Sequence, residues 1–200
     1  MITRRSLDRI YRSVQDTLRP RAVNDYATHI PILIALARTR EIRNVLEFGC
    51  GHYSTLTFLN RSAFPQVERV KSIENDPSWA HIIREIASND ARWMLELVEH
   101  EIADSVWDLD LEQFDLILID DSKTSTQRSA TIRAVARKQP QRPWILIHDY
   151  EVNEYRMAAK DFRYRYAFKT YNPETGLVSN KPIPEAKSLA RHIKATRESL

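Results

Sequence analysis

The chain holds three glycines in 200 residues, where average usage of about 7% would give roughly fourteen. It is poor in cysteine too: Cys50 stands alone, so no internal disulfide can form and a reducing compartment fits. No stretch approaches the ~20 consecutive apolar residues of a membrane span. The opening MITRRSLDRIYRSVQDTL has no apolar core of a secretory signal, so the cytoplasm is the expected compartment. Charge of one sign is not in large excess. Lysine and arginine number 30 against 27 acids, net +3, which argues for an ordinary solvated surface over a nucleic-acid footprint. No repeat or low-complexity tract is present. What the chain does have is a concentration: two of its three glycines, Gly49 and Gly51, fall in NVLEFGCGHYST, directly after an apolar run.

Around that stretch, short apolar runs alternate with helical periodicity. NVLEF (44–48), VERVKSIE (67–74), WMLELVEH (93–100), FDLILID (114–120) and PWILIHD (143–149) read as strands. Helices are expected over 6–18, over 24–39 with Pro31 as a kink or boundary, and from about Ser54. Further helices are expected from Asp76 as N-cap with Pro77 in the first turn, over 125–139, over 153–166, and from Pro184 to the end. AFKTYN and GLVSNK can pair as antiparallel strands across PETG, and the segment 172–184, rich in Pro, Asn and Gly, is the expected mobile loop. Strands alternating with helices give an α/β doubly wound, mostly parallel sheet with helices on both faces. The apolar runs LILI and WILI suit strands covered on both sides. The division expected is N-terminal helices over 1–40, a core over 41–183 and a C-terminal helix over 184–200.

In such sheets ligands bind beyond the carboxyl ends of the strands. A tight turn at Gly49 and Gly51 there brings backbone close to a ligand, with the helix from Ser54 offering free N–H groups. Glu74, at the end of the next strand, is placed to accept hydrogen bonds from ribose hydroxyls. Two cofactors fit a glycine loop and a ribose-binding acid. A dinucleotide wants a third glycine, where this chain has Ser54, and its pyrophosphate is repelled by Glu47. A cationic sulfonium cofactor is attracted by Glu47. Asp120 and Asp121 end one central strand, and His148 and Asp149 end another, on the same sheet edge. Together Asp120, His148 and Asp149 offer either a divalent metal site through oxygen and nitrogen or a general base.

The motifs VLEFGCGHYST, VKSIENDPSW, FDLILIDD and WILIHDYE, in that order over residues 44–170, resemble those of class I S-adenosylmethionine-dependent methyltransferases. The resemblance implies a seven-stranded sheet with an antiparallel last strand. It implies S-adenosylmethionine held by Glu47, Gly49, Gly51, His52, Ser54, Glu74 and Asp120, with Glu101 as the nearest acid for the adenine. Metal-dependent O-methyltransferases of the catechol and macrolide-sugar types are similar at the two strand ends, which implies a cation at Asp120, His148 and Asp149. His148 stands where a hard oxygen ligand is expected, which counts against magnesium and leaves manganese, cobalt, iron or no metal open. GCGHYS, ENDPSW and the IHD of the last central strand also resemble the glucuronoxylan methyltransferase-like polysaccharide O-methyltransferases, which implies a sugar hydroxyl as acceptor.

The expected partner is therefore a small-molecule or saccharide acceptor, with homo-oligomers left open. The rivals are RNA or protein methylation, a non-catalytic cofactor-binding subunit, and a dehydrogenase. Among the remaining residues, Trp79 is read as a core anchor, Cys50 as a small buried residue and not a nucleophile, and Tyr53 as packing the turn. The basic run Arg156, Lys160, Arg163, Arg165 and Lys169 is read as one solvated helical face.

Overall fold

The computed structural model describes residues 25–122, 124–184, 189, 190 and 193. The helix expected over 6–18 and most of the C-terminal helix lie outside them. Seven strands form one sheet in the order β3-β2-β1-β4-β5-β7-β6. They are β1 (Asn44–Phe48), β2 (Arg69–Glu74), β3 (Trp93–Leu97), β4 (Leu116–Ile119), β5 (Trp144–Ile147), β6 (Tyr164–Phe168) and β7 (Thr175–Ser179). Pairing is parallel from β3 through β5, and β7 inserts antiparallel between β5 and β6. The antiparallel last strand is as expected.

The central strands separate two cores by simple alternation. Val45, Leu116, Leu118 and Leu146 face one side with Leu33 and Leu36 of α1 (Ile30–Thr39), Leu56 and Leu59 of α2 (Ser54–Leu59) and Ile83 of α3 (Pro77–Ala87). Leu46, Phe48, Ile117, Ile119, Ile145 and Ile147 face the other. There they meet Ile102 of α4 (Ile102–Ser105), Ile132 and Val135 of α5 (Ser125–Arg137), and Ala158 of α6 (Asn153–Ala158). Every residue of LILI and WILI is buried, which is why those runs are continuously apolar. Asp76 caps α3 as its sequence predicts, accepting from the N–H groups of Ser78 and Trp79 at 2.9 and 3.1 Å, a contribution of about 1 kcal/mol.

Four expectations are corrected. The helix read over 24–39 is a 3-10 turn (Asp25–Ala27) followed by α1, with Pro31 in the first turn of α1. The helix read over 153–166 stops at Ala158, extends as a 3-10 turn to Asp161, and gives way to β6. Hence the basic run over 156–169 is not one helical face. Arg156 donates to Glu174 and to the Tyr150 carbonyl, and Arg165 to the carbonyls of Lys160 and Phe162. The segment 172–184 contains β7, whose five residues are all buried, so its centre is core and not a mobile loop. Gly176 is there because a Cβ would fall 2.4 Å from the Tyr150 ring.

Candidate active site

The carboxyl ends of β1, β2, β4 and β5 carry the acids singled out in the sequence. They form two clusters of different construction.

The first is the glycine loop. Glu47, fully buried on β1, accepts at Oε2 from the hydroxyls of Thr55 and Ser72, each at 2.7 Å. Those hydroxyls accept in turn: Thr55 Oγ1 from the Gly51 N–H at 3.0 Å, and Ser72 Oγ from the Trp93 indole N–H at 2.9 Å. Glu47 Oε1 is buried with no hydrogen-bond partner. Burial lifts the Glu47 pKa to about 7, against the pull of the Ser54, Ser72 and Thr55 hydroxyls. Glu74 closes the loop from β2. Its Oε1 accepts from the N–H groups of Asn75 and Asp76 at 2.8 and 2.9 Å, and its Oε2 from that of Cys50 at 3.2 Å.

The two glycines do different work. Gly49 sits at φ +82°, and a Cβ on it would lie 2.6 Å from the Asp120 carbonyl oxygen. It is glycine because the loop crosses the end of β4. A Cβ on Gly51 would meet only the Ser54 hydroxyl, at 3.1 Å, so Gly51 lines the open side of the loop. Cys50 is buried and its thiol, pushed up by burial, is no nucleophile. Trp79 corrects its sequence reading: it is 38% exposed. Its indole donates to the Cys50 carbonyl at 2.5 Å and meets the His52 ring edge-on at 5.9 Å. Trp79 is thus a clamp on the glycine loop and not a core anchor. Glu101 lies exposed at the start of α4, accepting from Gln127 at 2.9 Å.

The second cluster is a charge network over β4 and β5. Arg128, buried in the first turns of α5, donates to Asp149 Oδ2 at 2.7 Å and pairs with Asp120 Oδ1 at 3.0 Å. It also donates to the carbonyls of Asp121 and Ser122. His148 Nδ1 lies 3.3 Å from Asp120 Oδ1, and its Nε2 lies 3.0 Å from the Thr28 hydroxyl. Burial opposes a charge on His148, but Asp120, with Asp149 assisting, raises its pKa above the ordinary imidazole value. Burial would likewise raise the Asp120 pKa, yet His148, Arg128 and His29 bring it down to about 2. Asp121 faces away, buried, taking the Thr131 hydroxyl at 2.6 Å. Burial lifts its pKa to about 6. Asp149 adopts φ +55°, turning its carboxylate toward Arg128.

The residues that reading the sequence missed are His29 and Thr28, along with the central part played by Arg128. His29 packs edge-on against His148 with centroids 4.7 Å apart. It is buried, both of its ring nitrogens lack partners, and burial with the nearby His148 lowers its pKa to about 3. Arg128 carried a signal: it shares a helical face with Thr131, Ile132 and Val135, so periodicity turns it inward. His29 carried only its place in the apolar run THIPILIAL.

No helix among the described residues is long and apolar enough to cross a membrane. No protein-family model matches this sequence, and no curated protein does. Solved structures do. Cofactor-bound Rv0187 from MTB has a TM-score of 0.59 at 20% identity, over 90% of this chain and 92% of that one. The Podospora anserina methyltransferase PaMTH1, bound to S-adenosylhomocysteine (SAH), has a TM-score of 0.60 at 13% identity, covering 90% and 89%. Human methyltransferase-like protein 13 in complex with SAH has a TM-score of 0.57 at 16% identity, covering 86% and 92%. The seven-stranded sheet with its antiparallel last strand therefore has the Rossmann-like fold of S-adenosylmethionine-dependent methyltransferases.

Proposed function

We propose that this chain is a cytoplasmic enzyme that transfers a methyl group from S-adenosylmethionine to the oxygen of a small-molecule or saccharide hydroxyl. The observation that carries the reading is Glu47 Oε1, a buried carboxylate oxygen left without a donor beside a loop whose Gly51 side is open. Unpaired buried acceptors are costly, and a cationic ligand removes that cost. An anionic pyrophosphate would add to it, which disfavours the dehydrogenase rival.

When bound, S-adenosylmethionine supplies an electrophilic methyl on a sulfonium that leaves as a neutral thioether. The chain supplies position and proton handling. Glu47 attracts positive charge, the Glu74 carboxylate accepts from ribose hydroxyls in exchange for its longer contacts with Cys50, at 3.2 Å from the N–H and 3.7 Å from the thiol, and the Gly51 backbone lets the ligand approach. Ser54 and His52 flank the same loop, and Glu101 is proposed for the adenine. At the other cluster Asp120 holds the Nδ1 side of His148, so that Nε2 takes the proton from the acceptor hydroxyl. That nitrogen now meets the Thr28 hydroxyl, and the acceptor reaches it by displacing Thr28. Arg128 pairs with both Asp120 and Asp149 and fixes their carboxylates. Holding acceptor oxygen and methyl in line supplies much of the rate.

Calorimetry with SAH tests the cofactor half: one equivalent binds, and no binding sinks the reading. The acceptor half is tested on a panel of hydroxyl compounds, where His148→Gln and Asp120→Asn lose turnover and keep SAH affinity. Methylation of amines but no hydroxyl on that panel would replace oxygen by nitrogen as the acceptor atom.

A further inference from the structure

We propose that His29, Asp120 and His148 form a binding site for a divalent transition-metal ion, such as zinc or cobalt, in which the N-terminal segment supplies the third ligand. The three residues each direct a ligand atom to a common point, all within 4.8 Å of one another. Two metal–ligand bonds of about 2.1 Å span about 4.2 Å, so small side-chain adjustments close the set.

An independent observation points to a ligand there. His29 is buried, yet neither ring nitrogen has a hydrogen-bond partner. A neutral imidazole with two unused nitrogens beside a second imidazole and a carboxylate is what a metal site has before its ion binds. His148 Nε2 meets the Thr28 hydroxyl at 3.0 Å, which fixes the ring and leaves Nδ1 to the centre. Arg128 and His148 both contact Asp120 at Oδ1, which leaves Oδ2 for an ion. With 22% of its side chain exposed, Asp120 also gives the ion a way in.

This ligand set differs from the one the strand ends suggested. Asp149 has its Oδ2 on Arg128 at 2.7 Å and its Oδ1 3.5 Å from His148 Nδ1, but it is His29 whose ligand atom gathers with those of Asp120 and His148. Two imidazoles and one carboxylate favour a borderline ion over magnesium, which wants oxygen. The site is independent of the cofactor reading as a binding claim and rests on it only for purpose: an ion held by His29, Asp120 and His148 would lower the pKa of an acceptor hydroxyl, in place of the His148 base.

The test uses the full chain, freed of metal by dialysis against EDTA and titrated with cobalt chloride without cofactor. Expected is one equivalent of Co²⁺ with visible d–d absorption, displaced by Zn²⁺ and not by Mg²⁺. His29→Ala weakens binding about tenfold or more, taking the loss of a supporting residue as the lower bound. His29→Gln, which keeps the side-chain volume, does the same if alanine impairs folding. Asp149→Asn keeps the stoichiometry. The proposal is overturned if the wild-type chain takes up no stoichiometric Co²⁺. It is equally overturned if Asp149→Asn abolishes binding while the His29 variants retain it. Because SAH affinity is measured separately, failure here leaves the cofactor reading standing, and failure of SAH binding leaves the metal site standing.

Discussion

The two clusters on this sheet edge hold acids in opposite ways. At the glycine loop, Glu47 and Glu74 are met by neutral donors: hydroxyls and backbone N–H groups. Over β4 and β5, Asp120 and Asp149 are met by a guanidinium and an imidazole. Neutral donors leave a carboxylate able to answer to a further cation. Full charges hold it fixed. The first arrangement suits capture of a positively charged ligand, the second the poise of a base.

The largest effect that separates them comes from Arg128→Met. It strips two acids of their cation, and breaking a buried pair on one side costs about 3–5 kcal/mol, read by urea unfolding. No single hydroxyl deletion around Glu47 should reach that value. If Thr55→Val does, the contrast between the clusters fails.

Next is Gly49→Ala. Left-handed backbone costs about 1–2 kcal/mol and overpacking against the Asp120 carbonyl about 1–3 kcal/mol. Gly51→Ala carries no left-handed penalty and meets only the Ser54 hydroxyl, at 3.1 Å, so it should lose less stability than Gly49→Ala and weaken SAH binding. Equal stability losses in the two variants would mean that Gly51 too is structural.

The two clusters answer to pH through different observables. A cation at Glu47 favours its ionised form, so S-adenosylmethionine affinity should fall as pH drops below about 7, by at most about tenfold per unit. Glu47→Gln should flatten that profile in calorimetry. For His148 the pKa is raised, so its charged pairing with Asp120 stabilises the fold at acid pH and is lost as pH rises through the folded-state pKa. Turnover, which needs the neutral ring, should rise across the same window, and Asp120→Asn should move both transitions to lower pH. Proton titration of the imidazole by NMR checks the direction. His29 acts the other way, costing stability as pH falls from 6.5 toward about 3.

The smallest effect is Trp79→Phe, which removes one hydrogen bond to the Cys50 carbonyl, worth about 1 kcal/mol. It should loosen SAH binding a few-fold and leave His148 untouched.

The legibility of the sequence follows the same division. The glycine loop is local: Glu47, Gly49 and Gly51 lie within five consecutive residues, and a strand running into a turn can be read from neighbours alone. The order of strands and the antiparallel β7 follow from apolar runs and from likeness to a family. The charge network is not local. Arg128 reaches Asp149 across 21 positions and Thr28 reaches His148 across 120, and no spacing rule connects such residues. The end of the helix before β6 was misread because RYRYAF carries apolar residues compatible with either period. Trp79 was misread because a tryptophan beside a helix cap looks like a core anchor, while its indole N–H in fact seeks a loop carbonyl.

One consequence of the hydrogen-bond chain through Glu47 is optical. Trp93 on the edge strand donates to Ser72, and Ser72 to the same Glu47 oxygen that Thr55, itself taking the Gly51 N–H, serves from the other side. Trp79 donates to the loop directly. Two of the chain's four tryptophans are thus wired to the glycine loop from opposite ends, one sensing its buried anchor and the other its exposed rim. The molecule carries its own pair of fluorescent gauges for whatever settles there.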